Sequence, residues 1–244
     1  PGYAGGPTAA PQAAVSPERH LKNIRQLTYG RQNAEAYFSF DGTKLIFQST
    51  NNWMKDSFAA TLKPAEEGLG CYQMYVMDLD SETIRLVSTG TGATTCGYFF
   101  PGDRRVLYSS TYASGPNCPP KPKRDGAYRW ALDDYDLYAV RIDGQEMQRL
   151  TATPGYDAEA TVSPDGKMLA RTGSGQAALL WNAATGQLLP ILPGGDRTST
   201  VAFSPDGAMI ATGSSGKSEP TSPSEVRLWD ARTRLLKASF AISS

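Results

Sequence analysis

A short apolar strand, a tight polar turn and an alternating apolar–polar strand recur four times along the chain. The copies are AYFSFDGTKLIFQS (Ala36–Ser49), GYFFPGDRRVLYSS (Gly97–Ser110), ATVSPDGKMLARTG (Ala160–Gly173) and VAFSPDGAMIATGS (Val201–Ser214). In such a turn proline presets φ, aspartate caps its own backbone and glycine accepts a positive φ. Each copy is therefore predicted to form a β-hairpin.

Two more strands, separated by a polar turn, are predicted after each hairpin. The third strands are Gln73–Met77, Asp136–Val140, Ala178–Trp181 and Glu225–Trp229. The fourth strands are Thr83–Val87, Met147–Leu150, Leu188–Leu192 and Leu236–Phe240. A four-stranded unit of about 40 residues is typical of a propeller blade, so we predict an all-β propeller of antiparallel four-stranded blades.

The predicted units span residues 23–78, 83–141, 146–182 and 187–240, after a flexible Pro/Ala-rich lead-in at residues 1–20. The segment NIRQL (Asn23–Leu27) has the pattern of a fourth strand and is predicted as a spare outer strand. Such a strand closes a ring when it completes a blade formed by the other terminus. We therefore expect a whole propeller, a partial one completed by a second chain, or a chimera.

Two repeat families are similar to this pattern. Residues 20–172 resemble the TolB-type propeller repeat, through Ile24–Thr28, Met147–Thr151 and Ser163–Lys167. The last third resembles WD repeats, through Val201–Ser214 followed by VRLWD (Val226–Asp230), and through LLWN (Leu179–Asn182). The chain departs from these patterns at Phe40, which replaces the turn proline, at the shuffled PGD of unit two, and in lacking the WD-type Gly-His pair.

The two resemblances imply different settings. A TolB-like propeller implies a bacterial periplasmic or exported interaction module, and a WD-like one implies a docking platform that is often cytoplasmic. Similar propellers also cap the active sites of prolyl-oligopeptidase-like peptidases, but no G-x-S-x-G nucleophile motif is present. We expect a periplasmic or secreted protein, with a cytoplasmic location as the alternative.

Charge and composition narrow the function classes. The chain of 244 residues has 24 basic and 24 acidic residues, so no overall field attracts nucleic acid or an anionic membrane. No apolar run approaches the roughly 20 residues that span a bilayer. The single histidine and three cysteines fit no zinc pattern. We predict no nucleic-acid partner, no membrane insertion, no metal and no cofactor.

The long insertions all fall between second and third strands, at Thr50–Gly70, Thr111–Tyr135 and Ser215–Ser224. In a blade these loops share one face, and loops on a rigid scaffold commonly carry function. The second insertion contains Tyr128 and Trp130, which are residue types that favour a protein interface. The alternative is that exposed loops simply tolerate insertion.

The first strands of the units align Glu35, Cys96, Glu159 and Thr200 at one end of the predicted channel, with Asp157 two residues before Glu159. Paired carboxylates there bind a metal or a cationic side chain, or act as an acid–base pair. The alternative is that residues at a channel mouth are polar because they contact water.

All three cysteines fall on the face with the long loops. A Cys96–Cys118 disulfide would fasten the longest insertion to the channel mouth, and Cys71 is the competing partner. Free buried thiols are the alternative.

We predict a non-catalytic scaffold that binds proteins through the loop-bearing face, by self-association, a complementing chain or another partner. The alternatives are an accessory propeller of a hydrolase, an ion- or small-ligand-binding propeller, and carboxylate-based glycoside chemistry at Glu35 and Glu159.

Overall fold

The computed structural model describes residues 20–28, 31–50, 70–120, 126, 133–172, 177–193, 198–214 and 224–242. The chain forms two compact units, Pro1–Gly30 and Arg31–Ser244. The second unit contains four antiparallel sheets of four strands, and in each sheet the strands lie side by side in chain order.

The four sheets follow one another along the chain as blades 1 to 4. Blade 1 is β1 (Asn33–Phe38), β2 (Lys44–Ser49), β3 (Gln73–Asp78) and β4 (Ile84–Leu86). Blade 2 is β5 (Thr94–Phe99), β6 (Arg105–Ser110), β7 (Asp136–Arg141) and β8 (Gln148–Arg149). Blade 3 is β9 (Thr161–Val162), β10 (Met168–Thr172), β11 (Ala177–Asn182) and β12 (Leu192–Pro193). Blade 4 is β13 (Thr198–Phe203), β14 (Met209–Ser214), β15 (Ser224–Asp230) and β16 (Leu236–Ile242).

Apolar side chains between successive blades form the core. One cluster joins blades 1 and 2 and includes Ile46 and Val106. A second joins blades 2 and 3 around Leu107 and Trp181, and a third joins blades 3 and 4 around Trp229. Because each strand alternates its side chains between two faces, an inner blade packs against both of its neighbours. This arrangement is a β-propeller and confirms the predicted fold class.

The Ser-x-Asp-Gly turn has the same hydrogen bonds in three blades. The serine hydroxyl donates to the aspartate at 2.6 Å in Ser39–Asp41, 2.7 Å in Ser163–Asp165 and 2.6 Å in Ser204–Asp206. These bonds, with the backbone N–H two residues beyond each aspartate, lower the pKa of all three carboxyl groups. The turn residues from which the hairpins were predicted therefore also stabilise them through these hydrogen bonds.

Blade 2 departs from that turn for a reason visible in the structure. Its PGD order puts Asp103 at a left-handed φ of 56° and leaves the residue only 8% exposed. The carboxylate accepts hydrogen bonds from the backbone N–H groups of Phe40 at 2.8 Å and Asp41 at 3.0 Å. The altered turn thus joins the hairpins of blades 1 and 2.

The predicted spare outer strand is absent. Residues 20–28 contain no strand, and Leu21 and Ile24 are 62% and 56% exposed. Blade 4 already has its own fourth strand, because β16 pairs with β15 along its length. No blade among the described residues therefore lacks the strand that Asn23–Leu27 was expected to supply.

Blades 1 and 2 are in close contact at Gly97. A Cβ atom on this residue would lie 2.5 Å from the Sδ atom of Met74 and 2.7 Å from the Cδ1 atom of Ile46. We expect Gly97→Ala to lower the free energy of unfolding by about 1–3 kcal/mol, because a packed core resists an added methyl group. Urea unfolding followed by tryptophan fluorescence measures the change.

A variant of Ile46, one of the two residues that the added methyl group would meet, serves as the control. Ile46→Val removes the Cδ1 atom and by itself should cost about 0.5–1.5 kcal/mol. The double variant should lose less stability than the sum of the losses of the two single variants, because the shortened side chain relieves part of the clash. Simple additivity would show that steric contact with Ile46 is not what makes Gly97 necessary.

Candidate functional site

Three residues at equivalent repeat positions, two on the first strands of blades 1 and 2 and one just before β9 of blade 3, share an unusual backbone conformation. Glu35, Cys96 and Glu159 have φ values of 50°, 53° and 58°, although none is glycine. The left-handed region costs a side-chain-bearing residue roughly 1–2 kcal/mol. In blades 1 and 2 the residue lies where the register of the first two strands shifts. The strain therefore recurs at one position of the repeat, as strained backbone does at functional sites.

Cys96 lies between the two glutamates in sequence and is electrostatically coupled to both. Burial raises the pKa of its thiol to about 12, and the negative charges of Glu35 and Glu159 add to the rise. The Oγ1 atom of Thr95 is 3.2 Å from the sulfur. The thiol is therefore protonated at neutral pH, which disfavours a role as nucleophile.

Tyrosines surround these residues. Burial raises the pKa of Tyr156, and the charge of Glu159 and the proximity of Cys96 raise it further. Burial also raises the pKa of Tyr98, whose ring packs against that of Tyr37 with 4.5 Å between centroids. We call Glu35, Cys96, Glu159, Tyr98 and Tyr156 the inner-strand cluster.

One atom of this cluster lacks a partner. The Oε2 atom of Glu35 is buried and has no hydrogen bond, whereas Glu159 is exposed. A buried unpaired carboxylate oxygen is costly unless a donor reaches it. Among the described residues no three His, Cys, Asp or Glu side chains are placed to hold one metal ion. The geometry suits a donor brought by a ligand, such as an ammonium or guanidinium group.

Asp157 does not belong to this cluster, because its carboxylate is engaged in a buried ion pair. It is 1% exposed, forms an ion pair with the Nη2 atom of Arg171 and accepts a hydrogen bond from the hydroxyl of Thr153 at 2.6 Å. The guanidinium of Arg171 lies over the ring of Trp181, 5.4 Å from its centroid. From the sequence, Asp157 was expected at the channel mouth, because no local pattern links it to Arg171, which lies fourteen residues further along the chain on β10.

The expected Cys96–Cys118 disulfide is wrong, and the competing pair forms. Cys71 and Cys118 are bonded with their Cα atoms 5.6 Å apart, while Cys96 is a buried free thiol. Cys96 is buried on β5, whereas Cys71 precedes β3 and its sulfur meets that of Cys118. The bond joins the second-to-third loops of blades 1 and 2.

A groove of about 430 Å³ lies beside this disulfide. It is lined by Thr111, residues 114–120, Asp133 and Asp134. The carboxylate of Asp134 accepts a hydrogen bond from the backbone N–H of Gly155 at 3.0 Å, which ties the groove to the segment before Glu159. Tyr128 and Trp130, predicted as interface residues, lie outside the described residues.

The tyrosines of the cluster were not predicted from the sequence. Tyr37 and Tyr98 occupy equivalent positions in the first two hairpins, which is a signal that the alignment of repeats contained. Tyr156 comes from the loop before β9, where its link to Tyr135 is an isolated parallel bridge. Nothing in the repeat pattern marks that position.

Comparison with known proteins agrees with the fold. No protein-family model matches the chain. Solved structures similar to it include the crystal structure of TolB from Acinetobacter baumannii, at a TM-score of 0.56 and 20% sequence identity. The similarity covers 89% of this chain and 45% of that one, so the chain spans less than half of the TolB structure. At this identity the likeness shows the β-propeller fold, and the WD-repeat resemblance stays a prediction.

Proposed function

We propose that the protein is a non-catalytic scaffold that binds a protein partner at the loop-bearing face, where a cationic side chain of the partner meets Glu35 and Glu159. The observation that carries the proposal is the buried Oε2 atom of Glu35, which lacks a hydrogen-bond donor. A lysine or arginine side chain would supply that donor together with a compensating charge.

The disulfide-linked loops of the loop-bearing face support a binding role. The Cys71–Cys118 disulfide fastens two second-to-third loops to each other and so limits the conformations open to them. The groove beside the disulfide is lined by two further carboxylates, Asp133 and Asp134. Such a surface favours a basic segment of a partner through charge complementarity.

The chemistry of the cluster favours binding over catalysis. The thiol of Cys96 is protonated at neutral pH, because burial raises its pKa to about 12, and a protonated thiol is a poor nucleophile. No helix of the described residues is long and apolar enough to cross a membrane.

We propose a periplasmic or secreted location, with the cytoplasm as the alternative. The disulfide supports it, because such bonds persist in oxidising compartments and are rare in the cytosol.

The binding proposal predicts which peptides the protein selects. A phage-displayed random peptide library panned on the intact chain should be enriched in peptides containing Lys or Arg. One enriched peptide, synthesised and titrated calorimetrically, should bind the Glu35→Gln/Glu159→Gln variant roughly tenfold more weakly, a loss of about 1.4 kcal/mol. The interaction should also weaken as salt concentration rises.

A matched variant tests whether position or net charge matters. Glu82→Gln/Glu146→Gln removes two carboxylates from third-to-fourth turns at the opposite ends of the blades, so affinity should stay at the parent value. Enriched peptides without basic residues would overturn the proposal, and so would an equal loss of affinity in the two double variants.

A further inference from the structure

Two pairs of tyrosine rings lie at the inner-strand cluster. The rings of Tyr37 and Tyr98 have their centroids 4.5 Å apart and their planes tilted by 42°. The rings of Tyr135 and Tyr156 meet edge to face, with 5.5 Å between centroids and 73° between planes. None of these four residues is fully buried, so part of their aromatic surface is accessible to a ligand.

The two pairs lie on opposite sides of the glutamates along the first strands. Tyr37 comes two residues after Glu35, toward the hairpin end of β1, whereas Tyr156 comes three residues before Glu159, toward the loop-bearing end of blade 3. Burial is the main cause of the raised pKa of Tyr98, and the charge of Glu35 adds to it. Burial likewise raises the pKa of Tyr156, and the charge of Glu159 adds to that rise. Each glutamate therefore has one tyrosine pair within electrostatic range.

The groups between the glutamates are neutral. Burial raises the pKa of both Cys96 and Tyr135 to about 12, so the thiol and this phenol are protonated at neutral pH. A neutral phenol ring presents the negative face of its π system to a cation. The site thus combines two carboxylates with aromatic surface on either side of them.

The buried Oε2 atom of Glu35 narrows the kind of cation that fits. Because this atom has no hydrogen-bond partner, the cation must bring a donor, which a quaternary ammonium group does not have. A lysine ammonium group has donors but is compact and strongly hydrated. A guanidinium group is planar, more weakly hydrated, stacks on aromatic rings and carries five N–H donors. It meets the requirements of both the rings and the carboxylates.

We propose that the cationic side chain received by the inner-strand cluster is an arginine of the partner, whose guanidinium stacks on a tyrosine ring and donates hydrogen bonds to Glu35 and Glu159. The assignment rests on the proposed binding function and adds to it the identity of the partner's residue.

Substitutions in a peptide test this assignment. In the enriched peptide described above, each basic position is synthesised in turn as arginine, lysine, citrulline and trimethyl-lysine, and each peptide is titrated calorimetrically against the intact chain. The position that contacts the cluster is the one at which citrulline lowers the affinity for the parent but not for Glu35→Gln/Glu159→Gln. There, arginine should bind roughly tenfold more tightly than lysine, because only the guanidinium stacks on a ring at low desolvation cost. Citrulline lacks the charge and trimethyl-lysine lacks the donors, so both should bind more weakly than arginine.

Variants of the tyrosines test the stacking contact. Tyr98→Leu and Tyr156→Leu should each bind the arginine peptide about three- to thirtyfold more weakly, because the cation–π contact is lost. Tyr98→Phe and Tyr156→Phe keep the ring and should stay within about twofold of the parent. Thermal melting checks that each variant folds, and Tyr37→Leu tests the same pair should Tyr98→Leu fail to fold.

A tyrosine outside the cluster supplies the matched control. Tyr112 is 42% exposed in a long loop of the same face, where its ring meets the edge of Tyr138 at 6.3 Å. Tyr112→Leu should bind the arginine peptide with the affinity of the parent.

The possible failures are distinguishable. Equal affinity for arginine and lysine, tighter binding of trimethyl-lysine, or leucine variants that bind as well as the phenylalanine variants or no worse than Tyr112→Leu would overturn the assignment of arginine and leave the binding function standing. Enriched peptides without basic residues, or no position whose citrulline effect depends on Glu35 and Glu159, would overturn both.

Discussion

Replacing Asp157 with alanine is expected to lower the free energy of unfolding by about 3–5 kcal/mol, because the substitution leaves Arg171 buried without its ion-pair partner. Arg171 is only 7% exposed, and its Nε atom already lacks a hydrogen-bond partner. The remaining contacts, to the carbonyl oxygen of Thr172 at 2.9 Å and to the ring of Trp181, cannot replace a carboxylate. Urea unfolding of the parent and the variant measures the loss.

Two further variants test whether the loss of stability arises because the pair is buried, or would follow the removal of any ion pair. The double variant Asp157→Leu/Arg171→Met should recover much of the stability, because it removes the stranded charge together with its partner. Lys237→Ala removes the exposed pair with Asp230 and should cost less than about 1 kcal/mol. A loss as small for Asp157→Ala as for Lys237→Ala would show that the buried pair does not stabilise the fold.

The Cys71–Cys118 disulfide should account for the second large effect. Its loss in the Cys71→Ser/Cys118→Ser variant is expected to lower the free energy of unfolding by about 2–4 kcal/mol, because the bond closes a segment of 47 residues and restricts the unfolded chain. Peptide mapping without reductant should recover Cys71 linked to Cys118. Cys96 should react with iodoacetamide only after unfolding, because it is buried and its pKa is about 12.

A variant of the free thiol, Cys96→Ser, serves as the control. Cys96→Ser should lose as much stability as the parent when reductant is added, since its disulfide is unchanged. The Cys71→Ser/Cys118→Ser variant should not respond to reductant at all. Recovery of a Cys96–Cys118 peptide, or a reductant effect that persists without Cys71, would contradict the assignment.

The strands could be predicted because their determinants are local. Third strands predicted at Gln73–Met77 and Asp136–Val140 are observed at Gln73–Asp78 and Asp136–Arg141. A period of two and a turn of fixed residue type are properties of a short segment, and four copies reinforce each other. Asn23–Leu27 carried the same local pattern but forms no strand, because a strand also needs an unpaired neighbour.

The candidate site was predictable only in outline. Repeat alignment placed Glu35, Cys96 and Glu159 at one position, and the structure brings these residues into one cluster. Their left-handed backbone was not predictable, because the residue types there do not require it. Their binding role stays a prediction, which the glutamine variants test.

The sequence by itself determined the blades, since each blade follows from alternating apolar residues and from turns whose hydrogen bonds lie within a few residues. Tertiary structure decided the pairings between distant segments: Asp157 with Arg171, Cys71 rather than Cys96 with Cys118, and Asp103 with the turn of blade 1. It also decided which apolar faces are covered, so that Leu192 is buried while Phe240 is exposed. The physical reason is that a pairing or a burial depends on which surfaces meet in space, whereas a strand or a turn depends on its neighbours in the chain.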